Sequence, residues 1–310
     1  MRPPRPLPRP LLGVPFTLAQ AQRYGVDALR LRAGDIHHPF HGVNLSERPE
    51  EVLDLCRSYL PVMPADAYFS HTTAAALLGI PLPPAARAHP LHVSVASPRT
   101  APRGRGVVGH SLRALEGALV DGLPVSAPAH VWCQLSGLVD ARELVAAGDH
   151  LVGARSRAPL TTIDELSDLC VRVRRTKGAK ARMWALPRIR FGADSRPESL
   201  LRLLLEGVGI GDLAVNVPVV VNRGKVLHPD LALTAQRIAF EYEGDGHRVN
   251  RRQWFLDIKR HDLLEAAGWR VVRVTADDLF RDHADLLASV RRFVPNLGIQ
   301  TARTEIWHKS

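Results

Sequence analysis

Residues 228–247, HPDLALTAQRIAFEYEGDGH, carry four carboxylates and two histidines inside what otherwise reads as two short apolar strands joined by a polar turn. Side chains alternate along a strand, so in RIAFEYE the residues Ile238, Phe240 and Tyr242 take one face and Ala239, Glu241 and Glu243 the other. In the preceding segment Leu231 and Leu233 share a face, which leaves Asp230 with His228 and Ala232 on the opposite one. An adjacent pairing of the two segments brings Asp230 beside the glutamates. Carboxylates gathered in this way repel one another. Such a cluster persists only with a positive charge among its members or with solvent around them. Asp230 is the hardest to assign to solvent, because it sits between Pro229 and apolar Leu231 and its burial without a partner would be costly.

The elements that must position these groups begin at Ser195. SRPESLLRLLLEGVGI predicts a helix with Ser195 as N-cap, Pro197 and Glu198 in the first turn, and Gly207 near the end. LAVNVPVVV reads as a strand, NRGK as its turn, and the hairpin of residues 228–247 follows. RRQWFLDIKRHDLLEAAGW reads as an amphipathic helix with Trp254, Phe255, Ile258 and Leu264 inward and Gly268 at its C-terminal end. WRVVRVT is a last strand and DDLFRDHADLLASVRRFV a closing helix, giving the order αβββαβα over 193–310.

That order, with the phrases HPDLAL, FEYEGDGH and WFLDIKRHDLLEAAGWRVVRVT, resembles the very-short-patch-repair endonuclease branch of the PD-(D/E)XK superfamily. More narrowly, it resembles uncharacterised actinobacterial proteins that join such a domain to an N-terminus like that of AbiEi-type antitoxins. The resemblance implies a restriction-endonuclease-like fold and phosphodiester cleavage assisted by Mg²⁺ or Mn²⁺ on carboxylate oxygens. It makes Asp230 the central metal ligand and Glu241 the acid of the (D/E)XK element, with Glu198 assisting from the first helix. The family lysine is absent, since its position is Glu243, which could bind metal but cannot orient water as a lysine would. The repair branch uses histidine near the metal, and His247 is placed for that role; Lys259 in the next helix is the alternative cation. The catalytic set so implied is Asp230, Glu241, Glu243 and His247. Other readings stay open: Glu198 could serve the positive end of its helix, Glu243 face solvent, and His247 be an ordinary loop histidine.

Upstream, 1–14 reads as a flexible Pro/Arg tail and 15–67 as a winged-helix-like module. In that module FTLAQAQRYGV and VDALRLRAGDI read as helices and HHPFHGVNL as a strand, a layout that resembles the AbiEi-type N-terminal domain. His37, His38 and His41 form H-H-x-x-H, a metal alternative that lacks the glutamate of H-E-x-x-H. Residues 68–192 read as an α+β middle domain. There SHTTAAALLGIPLP is a small-residue helix, and LHVSVA and GVVGHSL are strands around a loop with Arg99, Arg103 and Arg105 that could reach phosphates. RVRRTKGAKARMWALPRIR, from Arg172, is the densest basic run, either a DNA-facing helix or a charged linker.

With 310 residues, the chain is long enough for two or three domains, an α/β multidomain class. Its formal net charge of +10 favours an acidic polymer, DNA, as partner. Cys56, Cys133 and Cys170 are dispersed and odd in number, as expected of core thiols in a reducing cytoplasm. No apolar run suits a signal peptide or a membrane span. The expected function is a metal-dependent DNA endonuclease with DNA-binding regions upstream. The alternative is an AbiEi-antitoxin-like DNA-binding regulator with a catalytically silent nuclease-like domain.

Overall fold

The computed structural model describes residues 4–86, 90–154, 156–244 and 251–294, with backbone alone at 223 and 251–258. In chain order its helices are α1 (Leu18–Gln22), α2 (Val52–Tyr59), α3 (His71–Leu77), α4 (Pro128–Leu135), α5 (Ala141–Val152), α6 (Ile163–Arg172), α7 (Ala179–Ala185), α8 (Arg196–Gly207), α9 (Arg251–Ala266), α10 (Ala276–Phe280) and α11 (Ala284–Phe293). The strands are β1 (Tyr68–Phe69), β2 (Leu91–Ala96), β3 (Arg103–Gly104), β4 (Val107–Leu112), β5 (Gly117–Val120), β6 (Leu123–Ser126), β7 (Ala214–Val215), β8 (Val219–Val220), β9 (Val226–Leu227), β10 (Leu231–Leu233), β11 (Ile238–Glu243) and β12 (Arg270–Thr275). The protein is mixed α/β and divides into two compact units, residues 1–139 with 165–179 and residues 140–164 with 180–310. No helix among the described residues is long and apolar enough to cross a membrane.

The first unit holds a six-stranded sheet in the order β3-β4-β2-β1-β6-β5. β2 and β4 run parallel, so LHVSVA and GVVGHSL are neighbours through a crossover, not the two arms of a hairpin. Arg99 in that connection pairs with Asp66. At the N-terminal end α1 forms as expected, with Thr17 and Gln20 in a capping box. VDALRLRAGDI, expected as a second helix, supplies only one 3₁₀ turn at Arg30–Arg32. Its buried residues Val26, Leu31 and Ile36 are five apart, a spacing that lines no stripe of an α-helix. Leu7 and Leu11, within the stretch expected to be a tail, are buried in the same cluster.

The second unit is built on a four-stranded sheet in the order β12-β11-β10-β7. β7, β10 and β11 pair antiparallel in turn, and β12 joins β11 in parallel after α9. β11 is covered on both sides. Ile238 and Phe240 pack with Leu201, Leu205, Val272 and Val274, while Ala239 packs with Leu264, Val219, Val221 and Leu227. The expected single strand LAVNVPVVV is broken in two. Asn216 adopts a left-handed φ of 49°, and Pro218 follows, so Val219–Val220 leaves the main sheet and pairs with β9 in a separate two-stranded ribbon. Under the sheet, α5 packs on α8 through a buried ion pair, Arg202 Nη2 to Asp149 Oδ2 at 2.8 Å. Asp149 Oδ1 also accepts from Arg190 N at 2.7 Å, and Arg202 donates to the Arg188 carbonyl at 3.0 Å. The pair thereby ties the end of the basic run to the helix that carries Glu198.

Candidate acidic site

The β10–β11 register pairs Leu231 with Phe240, and one step further it sets Asp230 across from Glu241. Tyr242 N donates to Asp230 Oδ2 at 2.8 Å, which fixes the carboxyl against β11. Glu198 reaches the same region from the first turn of α8. Ser195 caps that helix by accepting from Glu198 N, and Glu198 Oε2 accepts from Asp194 N at 2.9 Å and from Asn216 Nδ2 at 3.0 Å. Asn216 also donates to the Gly192 carbonyl at 2.8 Å, which explains why a residue with an amide side chain occupies the left-handed position. Glu198 and Glu241 are each only 7% exposed.

Burial is the main cause that lifts Asp230 from the ordinary 3.8 to about 7, with the charge of Glu241 next; the Tyr242 N–H and the Arg260 guanidinium pull it back. Glu198 is likewise lifted from 4.5 to about 7, first by burial and then by the charge of Asp230. The three acids form an electrostatically linked series. Perturbed carboxyls of this kind, arranged by like charge and low dielectric, concentrate at functional sites.

Glu241 has a partner outside the acid series. Arg260 Nη2 donates to Glu241 Oε1 at 3.1 Å and also to the His228 carbonyl. Arg260 Nε is buried without a hydrogen-bond partner among the described residues, a donor left over beside the acids. Lys259, the cation considered from sequence, is exposed. Glu243 shares the strand face of Glu241, as alternation requires, but its carboxylate is engaged by Arg273 of β12, with Nη2 at 2.8 Å. The site therefore brings together Asp230, Glu241 and Glu198 and leaves Glu243 in a half-exposed ion pair. His247 lies outside the described residues.

Sequence reasoning passed over Arg260 and Asn216. Arg260 stands one helical turn before Leu264, which is fully buried, so the two share a face of α9; that spacing was the available signal. Asn216 gave a weaker one, a polar residue inside an apolar run. Among the described residues, the acids do not form a group whose ligand atoms all lie within 4.8 Å of one another; the group that does is His71, His92 and His110 in the first unit. His37, His38 and His41 form no such group there either, and His37 is instead bridged through its backbone to Leu45. The basic run is not one solvated face: Arg182 is 2% exposed, Arg172 pairs with Glu116 and Arg188 stacks on Trp184 at 4.3 Å.

No family model matches the chain, and no solved structure matches it. It is similar to two uncharacterized proteins of Mycobacterium tuberculosis, one from strain CDC 1551 / Oshkosh and one from strain ATCC 25618 / H37Rv. Each is 24% identical over 267 residues, covering 85% of this chain and 94% of the relative.

Proposed function

We propose that the protein is a metal-dependent DNA endonuclease whose second unit hydrolyses phosphodiesters, with DNA-binding regions upstream. One observation carries this reading: Asp230 and Glu198, buried in series with Glu241, are both held at about 7, where keeping them charged without a counter-ion is unfavourable. The donor chemistry fits Mg²⁺ or Mn²⁺, which take carboxylate oxygens and retain waters. Asp230 would hold the ion, with Glu241 and Glu198 completing the acidic wall; Asp230 Oδ1 accepts no hydrogen bond among the described residues. Such an ion, when bound, supplies charge neutralisation at the phosphate and a water of lowered pKa.

The chain's own part is positional and electrostatic. Tyr242 N and Asn216 hold Asp230 and Glu198 in place. Arg260, paired with Glu241, holds a guanidinium beside the acids, the group type that recognises phosphate oxygens. Incubating purified protein with supercoiled plasmid, with and without Mg²⁺ or Mn²⁺, tests the proposal. Nicking that requires the metal and disappears in Asp230→Ala and Glu241→Ala supports it. Undiminished nicking by both variants, free of contaminating nuclease, sinks it.

A second reading is favoured by one specific feature. Arg260 already neutralises part of the charge on Glu241, and the acids stop short of a shared ligand point. A DNA-binding regulator with a silent nuclease-like domain would keep such an arrangement as structure. It predicts salt-sensitive DNA binding with no cleavage under any divalent metal.

A further inference from the structure

A second constellation, unrelated to the acids, lies within the first unit. His92 on β2 and His110 on β4 are diagonal neighbours of a parallel pair, since the register sets Ser94 opposite His110 and Val108 opposite His92. Alternation then places His92, Ser94 and His110 on one face of the sheet. His92 Nδ1 lies 3.0 Å from His110 Nε2. From the start of α3, His71 stacks on His110 with ring centroids 3.7 Å apart, and one ring nitrogen of each of the three lies within 4.8 Å of the other two. A tetrahedral metal with Zn–N bonds of about 2.0–2.1 Å needs nitrogens about 3.3 Å apart. The His92–His110 pair, at 3.0 Å, is close to that value, and the nitrogen of His71 lies within 4.8 Å of both.

The surroundings hold these rings as supporting hydrogen bonds hold metal-binding histidines. His71 Nδ1 is 3.0 Å from Ser70 Oγ, which itself accepts from Ser94 Oγ at 2.7 Å, so Nε2 is the nitrogen left for a ligand bond. Gln134 Oε1 accepts from His71 N at 2.9 Å, and Thr73 Oγ1 accepts from His92 N at 2.8 Å. His71 has a φ of 50°, a left-handed conformation that a non-glycine residue adopts at a cost. That strain, at a 7% exposed residue with a tied ring, is easier to account for by a site than by packing alone.

His71 and His110 open on a cavity of about 1060 Å³ whose walls include Arg113, Arg174 and Arg175. Those three arginines are exposed and form no salt bridge among the described residues. Three neutral imidazoles leave a bound divalent cation with its full charge, and the arginines add more, so the open position calls for an anion. We propose that His71, His92 and His110 form a transition-metal site, zinc by ligand type, whose fourth coordination position faces a cavity that takes a phosphate-type anion.

The test uses the full chain, stripped with chelator and checked for retained fold by circular dichroism. Titration with Zn²⁺ in competition with a chromophoric chelator gives one equivalent per chain. His92→Gln and His110→Gln lose it, whereas His130→Gln, which lines the same cavity outside the triad, and Asp230→Asn keep it. X-ray absorption at the zinc edge of the unsubstituted protein shows imidazole nitrogens, a readout that does not depend on the variants folding. With Co²⁺ in place of zinc, inorganic phosphate shifts the visible spectrum. A folded chain that takes up no zinc, a coordination shell of oxygen alone, or binding undiminished in both variants overturns the metal site. A Co²⁺ spectrum indifferent to phosphate overturns the anion assignment.

Discussion

Asp230→Asn is expected to stabilise the metal-free protein at pH 8, an unusual outcome for a change at a buried polar residue. A carboxyl held at about 7 in the folded chain instead of its ordinary 3.8 costs about 1.4 kcal/mol for each pH unit between the two values once it is ionised. The full cost at pH 8 is on the order of 4 kcal/mol. The sign follows from proton uptake. The folded value lies above the unfolded one, so the stabilising contribution is complete below about pH 4 and is lost as pH rises through about 7. Asparagine keeps an oxygen to accept from Tyr242 N and removes the charge, which also relieves Glu198. Denaturant unfolding of the two proteins at pH 5 and pH 8 reads the effect directly. The stability difference, variant minus unsubstituted, grows by a few kcal/mol between the two pH values. Mg²⁺ at 100 times its dissociation constant returns about 2.7 kcal/mol to the unsubstituted protein at pH 8 and nothing to the variant. A variant less stable than the parent at pH 8, or a difference that does not change with pH, refutes the picture of mutually repelling acids.

Arg202→Ala, by contrast, strands Asp149 in the core without its counter-charge, and should cost about 3–5 kcal/mol in unfolding free energy. DNA affinity should fall with salt at a log-log slope of about −0.9 per neutralised phosphate on duplex DNA, and reversing the exposed Arg174, Arg175 and Lys180 should flatten that slope; binding indifferent to those reversals would remove the basic run from the interface. Reversal at Arg182 is expected to unfold the protein instead, since that side chain is buried. Arg260→Ala should slow cleavage far more than Lys259→Ala, because only Arg260 reaches Glu241. His247→Ala should slow it by about 10²–10⁴-fold with DNA affinity unchanged, the scale of a positioned acid or base.

Period-two alternation was enough to place Glu241 and Glu243 on one face of β11, and the antiparallel register then delivered Asp230 to Glu241. Alternation says nothing about cross-sheet partners, which come from residues distant in sequence. Glu243 therefore ended in the grip of Arg273, thirty residues on, and Glu241 in that of Arg260. The helix α8 was legible from Ser195, Pro197 and its leucines, whereas the break at Asn216 was not, because LAVNVPVVV keeps an apolar strand pattern through a residue whose backbone turns left-handed. The histidine triad was invisible for another reason. His71, His92 and His110 are about twenty residues apart; His92 and His110 meet through a parallel strand pairing and His71 joins them from the start of α3, contacts between residues distant in sequence that alternation along one strand does not reveal.

Single-turnover cleavage of a labelled DNA duplex, measured with DNA affinity on the same preparations of unsubstituted protein and Asp230→Asn, tests the central claim most directly. The account predicts cleavage that needs Mg²⁺ or Mn²⁺ in the unsubstituted protein, and an Asp230→Asn variant that binds DNA equally well but does not cut. Equal cleavage by both proteins, or tight DNA binding without cleavage in any divalent metal, would contradict it.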